Sequence, residues 1–328
     1  MNRRSLFSIA ALVLVMLAVG VLSIGTGEFQ LSFGDVLKTL AGNGTKAQYL
    51  VVTDRLPRAL VGVLVGAALG LAGSVFQTLT RNPLGSPDII GFTTGSATGG
   101  VATILVLGGS PVLIAGGALV GGLLTAGVVA LFAAPRGLQS SRIVLLGIAL
   151  SAVLAGINSY LLSRATTDGA GQATVWLVGN LAGRDWGYFA PLAVALLLLT
   201  PAVAALSRPL RMLEMGDDTS IGIGVPVQRV RPALFVLSVA LVAVATAAAG
   251  PIPFVALCAP QLVKRLTRTP GPNLIASMCM GALLVVCADY AGQRLLAASL
   301  LPVGVVAAAL GGLYLIFFLV TRRRAAWS

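Results

Sequence analysis

Residues 55–91 carry the groups best placed to do chemistry. They open with Arg55-Leu56-Pro57-Arg58, two cations three positions apart. They continue through an apolar stretch, Ala59–Leu79, and leave through Arg81-Asn82-Pro83-Leu84-Gly85-Ser86-Pro87-Asp88-Ile89-Ile90-Gly91. Cations at both ends of one span cannot both obey the bias that puts Lys and Arg on the cytoplasmic side, so one end is positive for another reason. Catalytic chemistry is poorly supplied. The chain has no His, so it lacks a ready proton relay and a His-ligated metal site. Without His no nucleophile–base arrangement suggests itself. There is no GxxxxGK[ST] to cradle ATP phosphates. Cys258, Cys279 and Cys287 lie in apolar stretches without CxxC spacing and read as buried free thiols. Asp289 is the only acidic residue well inside an apolar span. An ion-coupled carrier usually keeps several ionisable groups in the membrane, so this scarcity argues against ion coupling.

The elements that position these groups are membrane spans. Of 328 residues 57% are hydrophobic and only 10% charged, against about 25% charged in a soluble domain. So few charges cannot coat a water-facing surface, and the chain reads as all-α and polytopic. The net charge of +12 could invite nucleic acid, but its cations sit in short loops between apolar runs, which argues for no nucleic acid. About ten spans follow: 6–24, 58–79, 91–107, 112–134, 142–163, 188–207, 231–249, 254–267, 273–296 and 303–320. The first follows Arg3-Arg4 and resembles a signal peptide, but it exceeds the usual 7–15 apolar residues. It reads as a retained helix. The span at 254–267 is short and enters through Gly250-Pro251-Ile252-Pro253, the pattern of a broken helix. Gly62, Gly66 and Gly70 share one helix face, as do Gly117 and Gly121, which predicts close helix packing.

Loop charges set the expected orientation. With a cytoplasmic N-terminus, 15 cations face the cytoplasm and 7 face outward, so both termini are expected inside. Residues 28–54 and 164–187 then lie outside, each with room for a short surface helix. Arg55 and Arg58 violate the charge bias, which marks them for some other duty. Snorkelling to lipid headgroups is the plain alternative. Residues 208–231 form the longest polar loop on the inner side. Gly216 can end one short helix in a left-handed conformation and Asp217 or Asp218 can cap the next. The result is a compact knob or an ordinary connection. The whole chain, 1–328, is expected to be one transmembrane domain.

Five motifs in order, Arg55-Leu56-Pro57-Arg58, Asn82-Pro83-Leu84-Gly85-Ser86-Pro87-Asp88, Met215-Gly216-Asp217-Asp218, Ala249-Gly250-Pro251-Ile252-Pro253-Phe254 and Leu301-Pro302-Val303-Gly304-Val305-Val306, resemble the FecCD family of ABC importer permeases. That family carries iron-siderophores, haem and cobalamin. The likeness covers essentially the whole chain, with its strongest note towards the ferric-enterobactin subgroup. The resemblance implies a type II ABC importer permease fold in a bacterial inner membrane. It implies a second permease subunit, expected as a heterodimer, two ATPase subunits that hold ATP and Mg, and an external binding protein delivering a ferric siderophore. No cofactor is expected in this chain. By the same resemblance Arg55, Arg58 and Arg294 dock the binding protein. Asn82, Leu84, Ser140 and Ser141 form the cytoplasmic gate; capping of the fifth span is the plain alternative for the two serines. A coupling element at about 208–227 meets the ATPase through Glu214, Gly216, Asp217, Asp218, Thr219, Gly222 and Gly224. Many relatives read Pro-His where this chain has Pro260-Gln261, and Gln cannot titrate. Another iron chelate, haem or cobalamin stays open as cargo. An ion-coupled carrier and a non-transporting scaffold are the remote alternatives.

Overall fold

The computed structural model describes residues 3–27, 29–88, 90–133, 140–269, 271–295 and 301–326. Among them are fourteen helices and no strand. Ten match the expected spans: α1 (Arg3–Gly25), α3 (Lys46–Thr80), α4 (Phe92–Leu107), α5 (Pro111–Ala133), α6 (Ser140–Arg164), α8 (Trp186–Ala205), α11 (Val227–Ala249), α12 (Val255–Thr267), α13 (Leu274–Arg294) and α14 (Val303–Ala326). Four shorter ones lie between them: α2 (Phe33–Leu40), α7 (Thr167–Leu177), α9 (Ser207–Leu213) and α10 (Asp217–Gly222). Helices α2 and α7 fall in the two expected outer segments. Seven helices are long and apolar enough to cross a bilayer, and α4 and α14 carry shorter apolar stretches.

Helix α3 is the axis of the molecule. In its apolar window 78% of residues are buried, against 6% in α6. Helices α13, α11, α12 and α8 all pack on it. Small residues make this possible, because lipid provides no hydrophobic drive between helices and close van der Waals fit must do the work. The Gly66 backbone meets Gly281, and Gly70 meets Ser277. Between α4 and α5, Gly99 faces Gly117 and Gly95 faces Gly121. The glycine spacing is therefore helix packing.

Two boundaries differ from expectation. Helix α3 begins at Lys46, twelve residues before the expected span. Thr45 and Gln48 form a reciprocal capping box there, and Pro57 is absorbed inside the helix. Arg55 and Arg58 consequently sit on a rigid rod rather than at its mouth. At the knob, Gly216 is the N-cap of α10 with φ 105° and ψ 159°. That is a positive-φ extended conformation open to glycine, not the left-handed helix end expected. Asp217 and Asp218 occupy the first turn of α10 instead of its cap, where negative charge suits the helix dipole.

Helix α12 is the broken element. Thirteen residues span roughly 20 Å, short of a bilayer core of about 30 Å. Gly250 (φ 74°) and Phe254 (φ 66°) turn the chain before it. Here the backbone approaches that of Gly179, whose carbonyl accepts from Gly304 N (3.1 Å), while Asn180 N donates to Ala249 O (2.8 Å). The irregular backbone is thus sealed inside protein, as membrane depth requires.

Both described ends of the chain lie on the knob side. Arg4 Nε donates to Leu266 O at the end of α12 (3.3 Å). The Arg265 guanidinium lies 5.1–5.7 Å from the rings of Tyr314, Phe317 and Phe318 on α14.

Candidate functional site

On the knob side, α9 and α10 fold back on each other. Leu210 and Leu213 are buried. The one Ser220 hydroxyl proton is shared between Met212 O (2.7 Å) and Gly216 O (2.6 Å), locking the two helices. Outward the knob shows Met212, Met215, Ile221 and Ile223, each exposed. Asp218, Thr219, Gly222 and Gly224 are exposed beside them. A compact element carrying solvent-facing apolar side chains fits a partner's groove. The expected coupling residues thus divide. Four of the seven are exposed, whereas Glu214, Gly216 and Asp217 are half-buried against the body.

Asp217 makes the link that the sequence did not disclose. Its carboxylate takes a bidentate pair from Arg231 (2.8 and 2.5 Å) on α11 and a third bond from Arg81 Nη2 (3.2 Å). Arg81 is the left-handed C-cap of α3 (φ 49°) and immediately precedes Asn82. One carboxylate therefore joins the knob, α11, the end of the axial helix and the start of the Asn82 loop. The Arg231 hydrogen bonds, with the charges of Arg231 and Arg81, hold the Asp217 carboxyl below the ordinary carboxylate range. Burial pushes the Glu214 carboxyl the other way, against the nearby Lys264 and Arg211.

A pH dependence follows. Stability from a carboxyl with a depressed folded pKa is present above its unfolded value and is lost as pH falls through the folded one. The unfolded value is 3.8. The Asp217 tie is expected to hold across roughly pH 5–8 and to open only below about pH 4. Protease access to the knob, measured against pH, checks this; opening near neutral pH would refute it.

The Asn82 loop is itself ordered. Asn82 Oδ1 accepts from Leu84 N (2.9 Å), and Asn82 N donates to Gln77 O (3.2 Å). Asp88 accepts from Thr93 Oγ1 (2.6 Å) and Ser86 Oγ (3.3 Å), which clips the loop to the first turn of α4. Ser140 and Ser141 open α6, but their side chains lie outside the described residues. Behind the loop, buried Gln77 bridges two helices. Its Nε2 donates to Leu257 O (2.9 Å) and its Oε1 accepts from Gln261 Nε2 (2.5 Å). Gln261 thus ties α12 to the axial helix through a bond that protons do not switch.

At the opposite end the three arginines gather around the last turn of α1. Arg55 Nη1 donates to Ile24 O and Phe29 O (both 3.0 Å). Arg294 reaches Thr26 Oγ1 (3.4 Å) and lies over the Tyr290 ring. Arg58 is engaged differently. Its Nη2 and Nε grip Asp289 at 2.8 and 3.1 Å. The Arg58 side chain is 20% exposed and that of Asp289 only 4%. Gln293 extends the network, donating to Asp289 Oδ2 (2.8 Å) and Ser23 Oγ (3.0 Å). The lone intramembrane carboxylate therefore has its cation, and α1, α3 and α13 are stapled together. A signal was present in the sequence: a carboxylate at that depth requires a partner.

This arrangement has known counterparts. Residues 14–321 match the FecCD transport family. The chain belongs to that family. It is 40% identical over 324 residues to the ferric enterobactin transport system permease protein FepG of Escherichia coli (strain K12), covering 98% of each chain. It is 32% identical to the vitamin B12 import system permease protein BtuC of Salmonella paratyphi A, again over 98% of each. Among solved structures it resembles an inward-facing metal-chelate type ABC transporter, with a TM-score of 0.85 and 28% identity over 97% of this chain and 99% of that one. The chain is accordingly a multi-pass membrane permease with the all-helical architecture of a metal-chelate type ABC transporter.

Proposed function

We propose that this FecCD chain is the permease subunit of an ATP-driven importer that moves a ferric siderophore, of the enterobactin-like catecholate class, across a bacterial inner membrane. The observation that carries the reading is the knob, apolar outside and tied by Asp217 to the loop at the end of α3. The identity to a ferric enterobactin permease supports the cargo. In this reading both termini and the knob face the cytoplasm. Two ATPase subunits hold ATP and Mg and receive Met215, Asp218, Thr219, Ile221, Gly222 and Gly224. A second permease subunit, a different chain, completes the pathway. A binding protein lands outside, guided by half-buried Arg55 and exposed Arg294; rim charges set orientation and on-rate more than affinity. Arg58 serves there only if it can leave Asp289. Asn82 and Leu84, with Ser140 and Ser141, close the inner end.

Motion of the knob reaches the gate through Asp217 and Arg81. Arg81→Gln and Asp217→Asn are each expected to leave ATP hydrolysis by the reconstituted complex near wild type while uptake falls. Coupling free energies of about 1–3 kcal/mol correspond to roughly 5–150-fold. Equal loss of both activities would refute transmission through this joint. The cargo is tested by uptake of labelled ferric siderophores with and without this chain. Ferric catecholate uptake should disappear while ferric hydroxamate, ferric citrate and cobalamin uptake persist. Unchanged catecholate uptake would overturn the assignment.

A further inference from the structure

Helices α5 and α8 each pack on α11 and leave a slot between them at the end of the molecule away from the knob. The slot has a volume of about 460 Å³. Its floor is Val244, Ala247 and Ala248 of α11, and its walls include Ala115, Gly116 and Leu119 of α5 and Pro191 and Ala195 of α8. Among the described residues no side chain fills it: a Cβ built on Gly116 meets nothing within 4 Å. In a chain that crosses a bilayer such walls exclude water, and an apolar slot opening between spanning helices takes an acyl chain.

One charge lines the mouth, and a second, of opposite sign, stacks on a wall residue. Asp185 lines it, exposed to solvent, with Oδ1 capping α8 through Gly187 N (2.9 Å). Arg184 lies beside it with its guanidinium 4.3 Å from the ring centroid of Tyr188, another wall residue. Arg184 Nε is buried with no hydrogen-bond partner. Trp186, 45% exposed and edge-on to Phe189, stands at the same level. Amphipathic aromatic rings favour the headgroup zone.

We infer that this slot is a phospholipid site for one zwitterionic lipid with a free ammonium headgroup, its acyl chain between α5 and α8, its phosphate on Arg184 and its ammonium on Asp185. Charge complementarity selects this occupant. An anionic lipid would satisfy Arg184 and be repelled by Asp185. A choline headgroup lacks the N–H donors that Asp185 can accept from. The site is independent of the cargo and of the coupling route.

The test is native mass spectrometry of the full-length chain, delipidated in detergent and then given phosphatidylethanolamine, phosphatidylcholine or phosphatidylglycerol with identical acyl chains. One phosphatidylethanolamine per chain should be retained, at least about tenfold more tightly than either other lipid, a difference of roughly 1.4 kcal/mol. Gly116→Phe should fill the slot and abolish retention of all three without lowering the melting temperature. Arg184→Gln should erase the headgroup preference while an acyl chain still binds. Retention that Gly116→Phe leaves unchanged, or equal binding of phosphatidylglycerol, would overturn the assignment. So would a Val112→Cys variant that crosslinks two copies through this face and holds no lipid.

Discussion

Asp289→Ala is expected to lower the stability of the detergent-solubilised protein by about 3–5 kcal/mol, the usual consequence of removing one partner from a buried ion pair. The reason is geometric. Arg58 sits on the axial helix with only 20% of its side chain exposed, and without Asp289 its guanidinium keeps its charge in a site built for a carboxylate. Gln293 also loses an acceptor, which loosens its bond to Ser23 on α1. Arg58→Ala should cost a similar amount, since it strands Asp289. The double change Arg58→Met with Asp289→Leu should recover most of the loss, because well-packed apolar replacements of buried pairs are often neutral. Thermal unfolding of wild type, Arg58→Met, Asp289→Leu and the double variant forms a double-mutant cycle. Additive losses would refute the staple. The same double variant separates two duties of Arg58. If it regains stability and binding-protein-stimulated ATP hydrolysis, Arg58 is a staple alone. If it regains stability and lacks stimulation, Arg58 also meets the partner.

The arginine staple shows where sequence reading ends. The ten spans were legible because apolar length, loop charge and Gly-Pro punctuation are local properties. Even the broken α12 was visible in Gly250-Pro251-Ile252-Pro253. The knob was legible for the same reason, as two short helices about Gly216. The start of α3 was signalled by Thr45 and Gln48, three apart, but the charged stretch that follows concealed a helix continuing out of the apolar zone. Long-range pairs leave no such trace. Arg58 and Asp289 are 231 residues apart, and Arg81 and Asp217 are 136 apart. Sequence could say that Asp289 needed a cation; it could not choose among the arginines at that end. It placed Arg55, Arg58 and Arg294 together as a surface for a partner. All three also have contacts within the chain, because cations near a membrane interface gather any carbonyl, hydroxyl or carboxylate in reach. The link from knob to loop was missed because Asp217 read as a helix cap. Its real partners come from α3 and α11, which only packing brings to one place.

Gly73→Leu should prevent assembly of the folded chain, and Gly73→Ala should destabilise it more than substitution at an open glycine. A Cβ at residue 73 would lie 1.8 Å from Ala256 O and within 3 Å of two further Ala256 backbone atoms. Those atoms belong to the first turn of α12. Backbone there cannot rotate aside as a flexible side chain could. It is fixed by the turn at Phe254 and, one residue on, by the Gln77–Leu257 hydrogen bond. Moving α12 away from α3 would also part Gln77 from Gln261. Overpacking typically costs about 1–3 kcal/mol, and occasionally more; the backbone clash and the two threatened buried hydrogen bonds place this site at the upper end. Gly127→Ala is the control, since a Cβ there meets nothing within 4 Å. It should match wild type in yield and melting temperature, and replacing a helical glycine by alanine even favours the helix by about 1 kcal/mol. Expression followed by size-exclusion chromatography and a thermal melt reads these outcomes. A monodisperse Gly73→Leu protein would mean that α12 can leave the axial helix freely, and the half-helix would then be a mobile part and not a fixed wall.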